Sequence, residues 1–270
     1  MPARVVELPR RGSTWIQEHA GPKDAPTVVL LHGLGATGLL NWFTSFEALA
    51  RHYNVVAIDH RGHGRGIKPG RRFRLEDCAD DVAVLIDELG VGNAIIVGYS
   101  MGGPITQLTW HRHPEVVRGM VLCATSYRFG APETPVARVG DLMGLGLRLT
   151  PGPLRQQVVK NLTGFAPRGR NAPDWVLNEL HQHDPAAVVE ATMAIRRFNS
   201  TEWIHEVDVP CASVITELDR LVPPRRQRKL ATLTRGEIFA IAGAHDACVR
   251  NPSLFVPALL SAVASVRDRS

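Results

Sequence analysis

A serine stands between glycines two positions away on either side in Val97-Gly98-Tyr99-Ser100-Met101-Gly102-Gly103, directly after the apolar run NAIIVG. A serine hydroxyl attacks a carbonyl only when a base takes its proton, and the base needs an acid to orient it. The downstream chain offers both. Asp219 ends the run SVITELD, and His245 follows FAIAGA. Glu217 is the rival acid, but it falls within the end of its strand pattern, so Asp219 is the expected partner. Thr125-Ser126, after the preceding strand pattern, carries no carboxylate, and Asp246 would point away from its neighbour His245. A serine at a strand end can also be a turn residue or a helix cap, and G-x-S-x-G alone is only suggestive. Its place between a buried-strand pattern and a helix pattern, with acid and base following in that order, points to nucleophilic catalysis.

These residues need elements that bring distant strand ends together. TVVLLH (27–32), NVVAID (54–59), NAIIVG (93–98) and RGMVLCA (118–124) are nearly continuous apolar runs, as expected of strands buried on both faces. Amphipathic patterns at 42–51, 75–89 and 104–113 lie between them, so the order is strand, helix, strand, helix, the signature of a doubly wound parallel sheet. Residues 4–8 and 14–19 across PRRGS predict an antiparallel hairpin at one edge. From 126 to about 207 no strand pattern is found, and helical patterns broken by Pro and Gly replace it. CASVITELD, a helix near 224–233, GEIFAIAG and a closing helix from Pro252 then resume the alternation. In this arrangement Gly98 and Gly102 let strand and helix approach the turn at Ser100, and the helix's positive end favours an oxyanion there.

The bulk numbers fit a globular chain. Its 270 residues suit one large domain, or one domain with an insertion, and 44% hydrophobic with 21% charged residues is ordinary. A net charge of +5 points to no nucleic-acid partner. Basic clusters at 61–74 and 220–229 read first as solvated loops and helix faces, with steering of an anionic substrate as the sharper alternative. Cys78, Cys123, Cys211 and Cys248 are far apart and predict neither a disulfide framework nor a zinc site. The first residues lack a signal-peptide stretch, and 254–266 is too short to span a bilayer and contains Pro257. Cytoplasmic residence without stable membrane insertion is therefore expected. His111/His113 and His181/His183, two apart on helical patterns, would point opposite ways, and His60/His63 belong to a glycine-rich loop, so no metal is expected. Gly33, Gly35 and Gly38 lack the lysine and spacing of a nucleotide cradle.

Four motifs in order, HGLG (32–35), DHRGHG (59–64), GYSMGG (98–103) and ELDRLVPP (217–224) with AGAHDACVRNP (242–252), resemble the α/β-hydrolase superfamily, in particular its small capped serine esterase, lactonase and haloperoxidase-like members. The resemblance implies an α/β-hydrolase fold: a mostly parallel, doubly wound sheet with an inserted helical cap. Its core would be 1–125 and 208–270, and its cap, or lid, 126–207. It also implies that His32-Gly33 shape an oxyanion loop, with the backbone N–H groups of Leu34 and Met101 as donors; losing one such donor costs about 10²–10³ in rate. Ala244 departs from the glycine common before the histidine, which matters only if that turn needs a positive φ. A serine nucleophile argues against the epoxide-hydrolase and haloalkane-dehalogenase branches.

The expected function is cofactor-independent cleavage of a carboxylic ester through an acyl-enzyme on Ser100, with His245 as base and Asp219 as orienting acid. Lactone or enol-lactone, thioester and C–C bond hydrolysis, or perhydrolysis, would use the same three residues. A ligand-sensing signalling protein of this fold is the reading from another class. The substrate would be a small ester or lactone with an apolar portion, and Leu142, Met143 and Leu145 in the apolar stretch 141–149 are candidates for lining its pocket. Oligomeric state is not legible.

Overall fold

The computed structural model describes residues 2–68, 70–130, 146 and 173–270. An eight-stranded sheet runs through it in the order β1-β2-β4-β3-β5-β6-β7-β8. β1 (Ala3–Leu8) and β2 (Gly12–His19) form the edge hairpin, and β2 lies antiparallel on β4 (Asn54–Ile58). β3 (Thr27–Leu31), β4, β5 (Ala94–Tyr99), β6 (Val117–Cys123), β7 (Cys211–Thr216) and β8 (Glu237–Ile241) pair in parallel.

The continuous apolar runs are strands because both sheet faces are covered. Val29, Leu31, Val56, Ile58 and Ile96 face a layer that includes α3 (Leu75–Glu88) and α4 (Gly102–Arg112). Their alternates Val28, Leu30, Val55, Ala57, Ile95 and Val97 face the opposite layer. That layer holds α1 (Gly38–Trp42), α2 (Phe46–Ala50) and α9 (Pro252–Asp268), through Trp42, Phe46, Leu49, Phe255, Leu259 and Val263. The period-2 alternation of a strand thus fills two cores at once.

One detail differs from the sequence expectation. The helix expected over 42–51 is two short helices, α1 and α2. Thr37, whose hydroxyl accepts from Leu40 N–H at 3.1 Å, starts the first one earlier. Thr44 then turns aside to donate to Cys248 O at 2.6 Å, between the two helices. The closing helix expected from Pro252 is α9, which continues through Pro257. At 17 residues it is the helix that contains the apolar stretch, and no described helix is long and apolar enough to cross a membrane.

Between β6 and β7, the described residues hold α5 (Asp174–His181) and α6 (Pro185–Arg197), the latter capped by Asp184. They are anchored to the loop after β4. Asp184 N–H donates to Gly62 O at 2.9 Å, and Gly64 N–H donates to His183 Nδ1 at 2.9 Å. Arg65 pairs with Glu179 at 2.7 Å, and Phe73 N–H donates to Glu190 at 2.7 Å. α7 (Pro224–Leu233) links β7 to β8, and the short α8 (Ala247–Arg250) follows β8. The pocket candidates Leu142, Met143 and Leu145 lie outside the described residues.

Candidate active site

Ser100 sits at the end of β5 with a φ of 51°, a left-handed conformation that costs a non-glycine residue about 1–3 kcal/mol. Neighbouring backbone holds it there. Ser100 N–H donates to Cys123 O at 3.0 Å, and its carbonyl accepts from Gly103 N–H at 3.0 Å and Thr125 Oγ1 at 2.7 Å. The flanking glycines are steric necessities. A Cβ at Gly98 would collide with Gly102 O and Thr106 Oγ1, and one at Gly102 would collide with Leu31 O. The turn is therefore tight, and its serine is partly exposed while Tyr99 and Met101 are buried.

His245, beyond β8, points Nε2 at Ser100 Oγ (2.9 Å) and Nδ1 at Asp219 Oδ2 (2.7 Å). Because Nδ1 faces a carboxylate, it carries the proton, which leaves Nε2 to accept from the serine hydroxyl. Tyr99 Oη donates to His245 O at 2.6 Å and fixes the histidine's backbone. Ala244 has no positive φ, so it occupies the turn without strain. The Asp219 side chain is fully buried. Oδ1 accepts from Leu221 and Val222 N–H, both at 2.8 Å, and Oδ2 also accepts from Thr216 Oγ1 at 2.9 Å. Burial pushes this carboxyl's pKa up, but the hydrogen bonds from His245 and Val222 outweigh it and hold the group below its ordinary range. The rivals lie elsewhere: Glu217 pairs with Arg228 and Asp246 with Arg250.

The loop after β3 approaches the same point. A Cβ on Gly33 would lie 3.4 Å from Ser100 Cβ, and Gly33 N–H is held by Asn41 Oδ1 at 2.9 Å. His32 braces the loop from behind. Its Nδ1 donates to Gly33 O at 2.7 Å and its Nε2 accepts from His60 N–H at 3.0 Å, an arrangement only the neutral ring allows. Burial, then the neighbouring His60, holds the His32 pKa well below its ordinary value. Among the described residues, the N–H groups of Leu34 and Met101 have no acceptor within the chain. A hydroxyl, an imidazole and a carboxylate in this line can pass a proton during attack on a carbonyl, and two unengaged N–H groups beside them can receive an oxyanion.

The structure also gathers residues that sequence reasoning left apart. Behind the His32 loop, the rings of His32 and His60 lie 4.4 Å apart, those of His32 and His63 5.4 Å, and those of His63 and His183 5.5 Å. No three His, Cys, Asp or Glu among the described residues are placed to hold a metal ion. The basic stretch 61–74 is largely ion-paired: Arg61 with Asp81, Arg65 with Glu179, Arg71 with Asp77 and Arg74 with Glu76. All four cysteines are free and buried.

Known proteins share this framework. A protein of Agrobacterium fabrum (strain C58) named "Putative carbamate hydrolase RutD" is 28% identical over 247 residues, 88% of this chain and 92% of its own. The pimeloyl-[acyl-carrier protein] methyl ester esterase of Sodalis glossinidius is 28% identical over 262 residues, covering 91% and 95% of the two chains. The crystal structure of the enol-lactonase from Burkholderia xenovorans LB400 superimposes with a TM-score of 0.76 at 22% identity, covering 97% of this chain and all of that one (100%). The family model described as alpha/beta hydrolase fold matches residues 26–252. Spanned by that match over most of its length, the chain belongs to the alpha/beta hydrolase fold family.

Proposed function

We propose that the protein is a serine hydrolase of carboxylic esters. Ser100 Oγ attacks the ester carbonyl carbon while His245 Nε2 takes the hydroxyl proton, and Asp219 stabilises the resulting imidazolium. The tetrahedral oxyanion rests on the N–H groups of Leu34 and Met101. The intermediate collapses as His245 returns the proton to the departing alkoxide, leaving an acyl-enzyme on Ser100. Water, deprotonated by His245, then releases the acid and regenerates the serine. The observation that carries this reading is the line Ser100–His245–Asp219, 2.9 and 2.7 Å, anchored on a serine held at a φ of 51°.

In this reading residues 1–125 and 208–270 form the catalytic core, and 126–207 the cap that shapes the substrate pocket. The relatives named for a methyl ester and an enol-lactone support an ester substrate, since an enol-lactone is a cyclic ester. The carbamate hydrolase name marks the nearest rival, which requires the same attack on a less electrophilic carbonyl. The test is a panel of p-nitrophenyl esters from acetate to palmitate, with a p-nitrophenyl carbamate beside them. Turnover with a chain-length optimum is expected, lowered about 10⁴-fold or more by Ser100→Ala. Turnover that survives Ser100→Ala would overturn the assignment. A stoichiometric burst without turnover would instead favour a ligand sensor that acylates once.

A further inference from the structure

Behind Asp219 lies a buried amide that no proton-transfer step uses. Gln227, in the first turn of α7, is 2% exposed. Its Oε1 accepts from Thr216 N–H at 3.1 Å, and its Nε2 donates to Val222 O at 2.8 Å. These two backbone partners fix the amide's orientation, because a flip would set oxygen against carbonyl and nitrogen against N–H. The second Nε2 hydrogen is thereby aimed between Thr216 Oγ1 at 2.9 Å and Asp219 Oδ2 at 3.2 Å. Thr216 Oγ1 accepts from that amide and donates its own proton to Asp219 Oδ2 at 2.9 Å. One side chain thus spans the end of β7, the loop that donates to Oδ1, and the oxygen that faces His245.

Resting on the catalytic reading above, we propose that Gln227 is the positioning residue of the acid. It sets the Asp219 carboxylate to meet His245 Nδ1 and supports its ionised form directly and through Thr216. Of the charged groups near it, Asp219 alone is in hydrogen-bond contact among the described residues, with His245 beyond it. Arg226 turns to Phe129 O at 3.0 Å, and Arg228 turns to Glu217 at the surface.

Two variants test this with p-nitrophenyl butyrate well below their melting temperatures. Gln227→Met keeps the volume and removes every hydrogen bond. It should lower kcat about tenfold, the scale of one hydrogen bond to a charged group, while KM stays within about twofold. Gln227→Glu can mimic the amide in part and only while protonated, when its single O–H replaces one of the two hydrogens the amide donates. Its kcat should approach wild type at pH 5 and fall steadily toward pH 9, where a second carboxylate would face Asp219, while the wild type holds or rises. A residue that only packs α7 would shift the melting temperature of both variants and leave the kcat–pH profiles parallel to wild type, and that result would overturn the proposal. Asp219→Asn, run alongside, separates the two readings. If it too leaves kcat intact, the acid assignment has failed; if it abolishes turnover while the Gln227 variants are unaffected, only the role of Gln227 has failed.

Discussion

Substituting His60 should flatten the protein's response to mild acid by a calculable amount. His60 is buried beside His32, and among the described residues neither of its ring nitrogens has a partner. Burial, with the nearby His63, pushes its pKa down to about 3. Burial pushes His183 to about 4 and holds His32 and His63 well below their ordinary values. All four are therefore neutral in the folded state, whereas unfolded histidine titrates near 6.5. A depressed folded pKa makes stability full above the unfolded value and lost as pH falls toward the folded one. Between pH 7 and 5 His60 and His183 each withdraw about 2 kcal/mol, a figure that barely depends on whether the folded value is 3 or 4. Asp59 works the other way. Burial raises it to about 6 from 3.8 against hydrogen bonds from Arg65 and Gly38 N–H, so its contribution is full below 3.8 and lost as pH rises through 6. It returns about 1 kcal/mol over the same interval. His60 and His183 net of Asp59 thus predict a loss of about 2–3 kcal/mol, and His32 and His63 act in the same direction. Urea unfolding followed by tryptophan fluorescence at pH 7, 6 and 5 measures it. His60→Phe keeps an aromatic ring, and any packing cost it carries displaces the whole curve equally. It should lose about 2 kcal/mol less than wild type between pH 7 and 5. Parallel curves for the two proteins would refute the claim that the fold holds His60 neutral.

Two further outcomes follow from the site. Asp219→Asn, which keeps the shape and removes the charge that supports imidazolium, should lower kcat on p-nitrophenyl butyrate by about 10⁴-fold; a loss under tenfold would remove Asp219 from the acid's role. Gly102→Ala would drive a methyl group into Leu31 O in the tightest part of the turn, so it should cost at least about 1–3 kcal/mol. Its melting temperature checks this, and an unchanged value would mean the turn can open without penalty.

The legible parts of this chain are those where one physical signal dominates. β3 to β7 could be read because strands buried on both faces need short uninterrupted runs of apolar, β-branched-rich side chains. Ser100 and Asp219 were legible because each lies just beyond such a strand, and His245 because it follows the edge-strand pattern FAIAGA; the structure brings all three into hydrogen-bond contact. The break between α1 and α2 was not, since it depends on Thr44 reaching a carbonyl at Cys248. The histidine cluster draws on the residue after β3, the loop after β4 and the turn between α5 and α6, three segments with no shared pattern. Gln227 did leave a trace. It shares the stripe Leu230, Ala231 and Thr234 at helical spacing, so a polar side chain stands on the face that α7 buries. That signal is masked in sequence by the surrounding arginines, which read as a solvated surface.

The loop after β4 joins two parts of the molecule that the sequence treats as separate. Its His60 N–H holds His32 Nε2, which fixes the loop bearing Leu34, while Gly62, Gly64 and Arg65 hold Asp184, His183 and Glu179 between β6 and β7. Arg61, in the same loop, makes a two-bond contact with Asp81 at 2.6 and 2.7 Å that ties it to α3. The hydrogen bonds at His32 Nε2 and His183 Nδ1 both require an unprotonated ring nitrogen, so the geometry beside the serine and the seating of α5 and α6 share one condition. Proton uptake by these histidines would loosen both together while leaving the Asp219 carboxylate, bound by five donors on other elements, in place. The loop that presents Leu34 and the carboxylate that orients His245 are thus braced by different chemistry, the first by neutral imidazoles and the second by donors to an ionised oxygen pair.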